Sequence, residues 1–138
     1  MDTADQDFLN QLEREHGAYL RRIMEANADF AERATALGAR AEYNRDEDML
    51  SISVGPVTEA SAESIDNHVF ISVEPETLKI VGIDVMGVRD LLVAPPPEAE
   101  PLARALEPIA AALLVDEQRP SPRAVEALAR TVRQLVPA

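Results

Sequence analysis

Residues 43–54 read YNRDEDMLSISV, and how this stretch is read decides the fold. After its acidic centre, Leu50, Ile52 and Val54 alternate with Met49, Ser51 and Ser53; before it, Ala39, Ala41 and Tyr43 alternate with Arg40 and Glu42. A period of two on both sides of a short polar segment predicts a β-hairpin with the acids at its tip. Asn44, Asp46 and Asp48 do carry the spacing that opens a calcium-binding loop. That loop needs Gly at its sixth position and a bidentate Glu at its twelfth, where this chain has Met49 and Gly55. Asn and Asp at a hairpin tip have a simpler use, because they hydrogen-bond local backbone and tolerate turn geometry. The expected reading is a turn and not a metal site.

Working outward toward the C-terminus, Gly55 and Pro56 end the strand, and TEASAESIDN at 58–67 reads as a polar connection. HVFISV at 68–73 places Val69, Ile71 and Val73 on one face, EPET at 74–77 makes a turn, and LKIVGIDVMG at 78–87 places Val81, Ile83 and Val85 together. The expectation is four strands in an antiparallel meander. Asp84, between Ile83 and Val85, then points away from the core, with Arg89 as a nearby partner.

On the N-terminal side the period lengthens to that of a helix. Phe8, Leu12, Tyr19, Ile23, Phe30, Ala34 and Leu37 recur at spacings of three, four or seven, His16 falls on the same seam, and Gly38 supplies a stop. Thr3 or Asp5 is the expected N-cap. A helix over residues 5–37 would run about 50 Å, longer than a small domain is wide. It either breaks near Gly17 or lays its free length against a second copy, with Phe8, Leu12, Tyr19, Ile23, Phe30 and Leu37 as the candidate interface.

On the C-terminal side, APPP at 94–97 is an extended corner. A helical pattern over 98–117 follows, in which Pro108 either kinks the helix or follows Glu107 as a cap. A second helix opens at Ser121 with Pro122 in its first turn; Val125, Leu128, Val132 and Leu135 form its stripe, and Glu126 can pair with Arg130. The whole is α+β: one domain over 1–138, with an N-terminal helix (1–38), a sheet core (39–93) and a helical extension (94–138).

The centre of the chain resembles the bacterial family catalogued as domain of unknown function 2283. YNRDEDMLSISV, VTEASAESIDNHVFISV and KIVGIDVM carry the likeness, with Tyr43, Asp48, Leu50, Ile52, Gly82, Ile83 and Asp84 in the family's positions over residues 40–90. The chain departs from the pattern at EPETLK, which lacks the glycine of the family's acidic turn. The resemblance implies the strands and no activity.

Composition narrows the function classes. A formal charge of −12 repels phosphate backbones, which argues against nucleic-acid binding and leaves a basic protein as a possible partner. The charge is spread as eight acids and four arginines over 1–37 (−4), eleven acids and four bases over 38–94 (−7), and six acids and five arginines over 95–138 (−1). With no Cys, thiolate chemistry and thiolate metal sites are out of reach, and two distant histidines, His16 and His68, form no zinc pattern. Ser51 and Ser53 have no nucleophile-elbow context, no Gly-rich phosphate loop exists, and Glu76 stands one position too far from Lys79 for a nuclease acid–lysine pair. No secretory leader or membrane span is read, so a cytoplasmic location is expected. The leading expectation is therefore a non-enzymatic interaction or oligomerisation module without cofactor, most simply a homodimer. An antitoxin-like or chaperone-like acidic partner of a basic protein is one alternative. A small-ligand or metal-dependent enzyme using Asp46, Asp48 and Asp84 is the other.

Overall fold

A computed structural model describes residues 2–56, 59–114 and 119–136. The elements run α1 (Thr3–Ala26), α2 (Phe30–Leu37), β1 (Ala39–Asn44), β2 (Met49–Val54), β3 (Ser61–Ser64), β4 (Val69–Val73), β5 (Ile80–Met86), α3 (Val88–Val93), a short 3-10 turn (Pro97–Ala99), α4 (Glu100–Leu114) and α5 (Pro122–Leu135). The α+β class is as expected, and the sheet is antiparallel throughout.

The strand count and the topology differ from the expectation. The sheet has five strands in the order β1-β2-β5-β4-β3, so it is not a four-stranded meander. The extra strand, β3, lies inside the segment read as a polar connection, of which Thr58 falls outside the described residues. It sits at the sheet edge and pairs only β4, so a serine-and-acid sequence with no apolar alternation suffices there. The apolar strands β2, β4 and β5 take the interior, with β5 in the centre because it can bury residues against both neighbours.

Register follows the hairpin reading. Leu50, Ile52, Val69, Ile71, Ile83 and Val85 are all buried on one face, with Ala41, Val54 and Val73. At the far end of β5 the expected inward residue, Val81, gives way to Ile80: Val73 pairs Ile80 while Ser72 pairs Gly82, and the extra residue of this bulge is Val81. The core then continues into Leu102, Leu106 and Ile109 of α4 and Val125, Leu128 and Val132 of α5. The opposite face carries Ser51, Ser53, Phe70, Ser72 and Asp84, and none of them is buried. One solvated face is normal for an antiparallel sheet.

Helix α1 begins with Asp2 as N-cap, its carboxylate accepting from Ala4 N–H, so neither Thr3 nor Asp5 has that role. It runs through Gly17 and stops at Asn27, so the stretch read as one helix over 5–37 is two helices, parted ten residues beyond Gly17, the break point in one of the two alternatives. Asn27 is the one buried polar residue among those described. Its Nδ2 donates to Ile23 O and to Leu78 O, each at 2.7 Å, while its Oδ1 accepts from Ile80 N–H at 2.8 Å and from Arg33. The side chain thus ends α1 and ties it to the start of β5, at a point where Leu78 takes a left-handed φ of 61°. Lys79 completes the clamp, donating to Ala26 O at 2.8 Å and lying 3.3 Å from Asp29. Burial tends to push the Asp29 carboxyl up, but the Lys79 hydrogen bond and the Lys79 and Arg33 charges outweigh it and hold the group below its ordinary value.

Two helical expectations on the C-terminal side stand. Ser121 caps α5 by accepting from Ala124 N–H at 3.2 Å, and Arg130 pairs with Glu126 at 3.1 Å. Helix α4 continues through Pro108, which lies on its exposed side, and residues 115–117 of the expected helix lie outside the described residues. Helix α3 was not expected at all.

Candidate functional site

The acidic stretch is built as a turn. Asn44 Oδ1 accepts from Asp46 N–H at 3.0 Å and from Glu47 N–H at 3.1 Å, which folds the four residues between β1 and β2 back on themselves. Asp48 closes the turn with φ 51°, a conformation that Asp tolerates better than most residues. Its carboxylate accepts from Tyr43 Oη at 2.5 Å and from Arg89 N–H at 3.2 Å, and the Arg89 side chain approaches it to 3.9 Å. Its backbone carbonyl accepts from Gly87 N–H at 3.0 Å.

These contacts give Asp48 a structural job. Helix α3 starts after Gly87, whose φ of 71° suits glycine and which has no side chain to cap the helix. Asp48 supplies the missing cap from the neighbouring hairpin, locking the hairpin tip to the β5–α3 junction. The hydrogen bond to the Asp48 carboxylate raises the Tyr43 phenol above its ordinary value; burial adds to this and Arg89 opposes it.

The three candidate acids therefore do different things. Asp46 is exposed at the tip, Asp48 is the cap, and Asp84 lies on the open sheet face between Ser51 and Phe70. Arg89, the expected partner of Asp84, is engaged by Asp48 and donates to Arg45 O at 3.2 Å. Among the described residues no group of three His or acidic side chains stands close enough to hold a metal ion. A cleft of about 630 Å³ opens beside the lock, floored by Leu50, Val88, Leu92 and Leu113 with Arg45 and Arg89 on its rim. Its lining is mostly apolar, with Glu42, Tyr43 and the two arginines as the polar members. His68 Nδ1–H donates to Met86 O at 3.3 Å, as a turn residue does.

The six candidate interface residues separate into different environments. Ile23 and Phe30 are 0% and 4% exposed and belong to the core, so they cannot form a surface for another molecule. Tyr19 is partly buried against that core, beneath the Arg22 guanidinium. Leu37 is exposed, but its Cδ1 lies near Gly55, away from the rest. Phe8 and Leu12, 61% and 45% exposed, stand together on α1, and Leu9 at 40% joins them.

Phe8, Leu9 and Leu12 lie on the part of α1 that leaves the body. Across residues 3–16 only Asn10 is even partly shielded, whereas Leu20 and Ile23 further along are sealed in the core. The helix meets the sheet where His16 Nε2–H donates to Ser64 O on edge strand β3, at 3.0 Å. At 100° per residue, Phe8 and Leu12 continue the same stripe that Tyr19 and Ile23 turn inward. Sequence reasoning found this stripe but could not tell where it passes from core to water, and it missed Leu9. Among the described residues, no helix is long and apolar enough to cross a membrane. Comparison with family models, with curated proteins and with solved structures finds no match for this chain.

Proposed function

We propose that this chain is a non-enzymatic protein-interaction module that works through the projecting first half of α1. The observation that carries the reading is that three neighbouring large apolar side chains, Phe8, Leu9 and Leu12, stand in water on a helix whose other half is anchored in the core. Large apolar groups grouped on one exposed helix face are the usual footing for helix-in-groove recognition. Of the three acids that would serve an enzyme, Asp48 is engaged as a cap, while Asp46 at the turn tip and Asp84 on the open sheet face stand apart from it. Of the residues behind the resemblance noted above, Tyr43 and Asp48 belong to that lock, and Leu50, Ile52 and Ile83 belong to the core, which suits structural roles.

The test is site-specific photo-crosslinking in the native cell, with a photoreactive phenylalanine analogue at position 8 or 12 and, as control, at Phe70 on the open sheet face. Discrete adducts at positions 8 and 12 and none at 70 are expected. Adducts at 70 alone, or no adduct at 8 and 12, would refute the reading.

A further inference from the structure

The charges around the α1 stripe say what kind of surface it meets. Taking 100° per residue, Phe8 and Leu9 lie about 40° and about 60° to either side of Leu12. Glu15 falls about 60° to one side and Glu13 about 100° to the other, and Asp5 lies only about 20° from Leu12 toward the N-terminus. Arg14, the single cation in Asp2–Glu15 against five acids, falls about 160° away, on the opposite face of the helix. The segment therefore carries −4, and the charged residues bordering the apolar side are all acids.

A second copy is a poor occupant for such a face. Apposing two identical stripes would set Glu13, Glu15 and Asp5 of one chain against those of the other, and like charges so placed oppose pairing. Sliding an antiparallel copy along until its acids met the arginines of the second half of α1 is blocked. There the same helix face is already seated on its own sheet, with His16 on Ser64 O and Leu20 and Ile23 buried.

We propose, resting on the reading of α1 as the docking surface, that its partner is a different protein, one presenting an apolar groove bordered by lysine or arginine. Apolar burial supplies the attraction, and the basic border selects this helix over other amphipathic helices by charge.

The probe is a synthetic amphipathic helical peptide with a leucine stripe between lysine flanks, titrated into the intact chain by fluorescence anisotropy. Two companions control it, one with the same stripe between glutamates and one with the lysines but serine in place of the stripe. The lysine-flanked peptide is expected to bind at least about tenfold more tightly than either companion, and to weaken as salt rises. Phe8→Ser with Leu12→Ser, and separately Glu13→Gln with Glu15→Gln, should each weaken it by about tenfold while the circular dichroism spectrum holds. Equal binding of the lysine and glutamate peptides, or equal binding of the stripeless one, would overturn the partner chemistry. So would sedimentation showing a dimer that Phe8→Ser with Leu12→Ser abolishes, which would leave the docking surface standing with a second copy as its occupant. Binding indifferent to Phe8 and Leu12 in every case would overturn the docking reading itself.

Discussion

Replacing Asn27 with Ala removes a side chain that is 2% exposed and joins three parts of the chain. Ile80 N–H loses its 2.8 Å acceptor and Leu78 O its 2.7 Å donor, while the Arg33 guanidinium loses one of its acceptors. A buried backbone group left without a partner costs about 1–3 kcal/mol. Ile80 N–H and Ile23 O are the fully enclosed partners, and Leu78 O and Arg33 are only partly enclosed, so they contribute less. Together with the small void, the loss should be about 3–5 kcal/mol. That is a large fraction of the roughly 5–15 kcal/mol that holds a typical domain together. In urea titrations followed by circular dichroism, with a slope of about 1–3 kcal/mol per molar, the midpoint should fall by more than about 1 M at unchanged slope. Asn10→Ala, on the exposed part of the same helix, should move stability by less than about 0.5 kcal/mol. If Asn27→Ala cost under about 1 kcal/mol, the bonds from its side chain would not be what ends α1, and the account of the break would be wrong.

Ile52→Ala or Ile83→Ala should cost about 2–5 kcal/mol by chemical denaturation, and Ser53→Ala little; comparable losses at both sets would put the register out by one residue. Millimolar calcium, magnesium or manganese should leave the melting temperature in place, and a rise of many degrees that vanishes when Asp46 and Asp48 are both changed to Asn would refute the turn reading. Because the Asp29 carboxyl is held below its ordinary value in the folded chain, its contribution to stability is present above the unfolded carboxylate's value near about pH 4 and lost as pH falls through the folded one. Asp29→Asn should therefore flatten the acid limb of the stability–pH curve without altering it near neutrality beyond a constant offset. A steeper acid limb in the variant would reverse the assigned sign.

The parts of the fold that sequence made legible are those where one periodicity ruled. Leu50, Ile52, Val69, Ile71, Ile83 and Val85 alternate over strands with one buried face, and all six are in the core. Ser121-Pro122 announced α5 through cap chemistry that acts within one turn. The failures share a cause, which is that a distant contact decides them. Gly17 is tolerated mid-helix because nothing there reaches across to end the helix, whereas Asn27 finds partners at Leu78 and Ile80. The one local signal was the pair Asn27 and Asp29 in an otherwise alanine-rich stretch. Edge strand β3 carries no apolar alternation because neither of its faces is sealed, and α3 is capped by a residue about forty positions away in sequence, Asp48 on Arg89 N–H. At the candidate site, the stripe of α1 was visible as a pattern. Which of its residues face water depends on where the sheet ends, and no local pattern carries that.

Amide hydrogen exchange on the intact chain at low concentration reads directly whether residues 3–16 of α1 stand uncovered, as the proposed docking surface requires. A step along one helix is expected. Amides before His16 should exchange with little protection, as a frayed segment with few tertiary contacts does, while those from Leu20 to Ala26 should approach the protection of the global unfolding limit. Uniform strong protection from Thr3 through Ala26 would mean that Phe8, Leu9 and Leu12 are already covered in the free protein, and would contradict the claim.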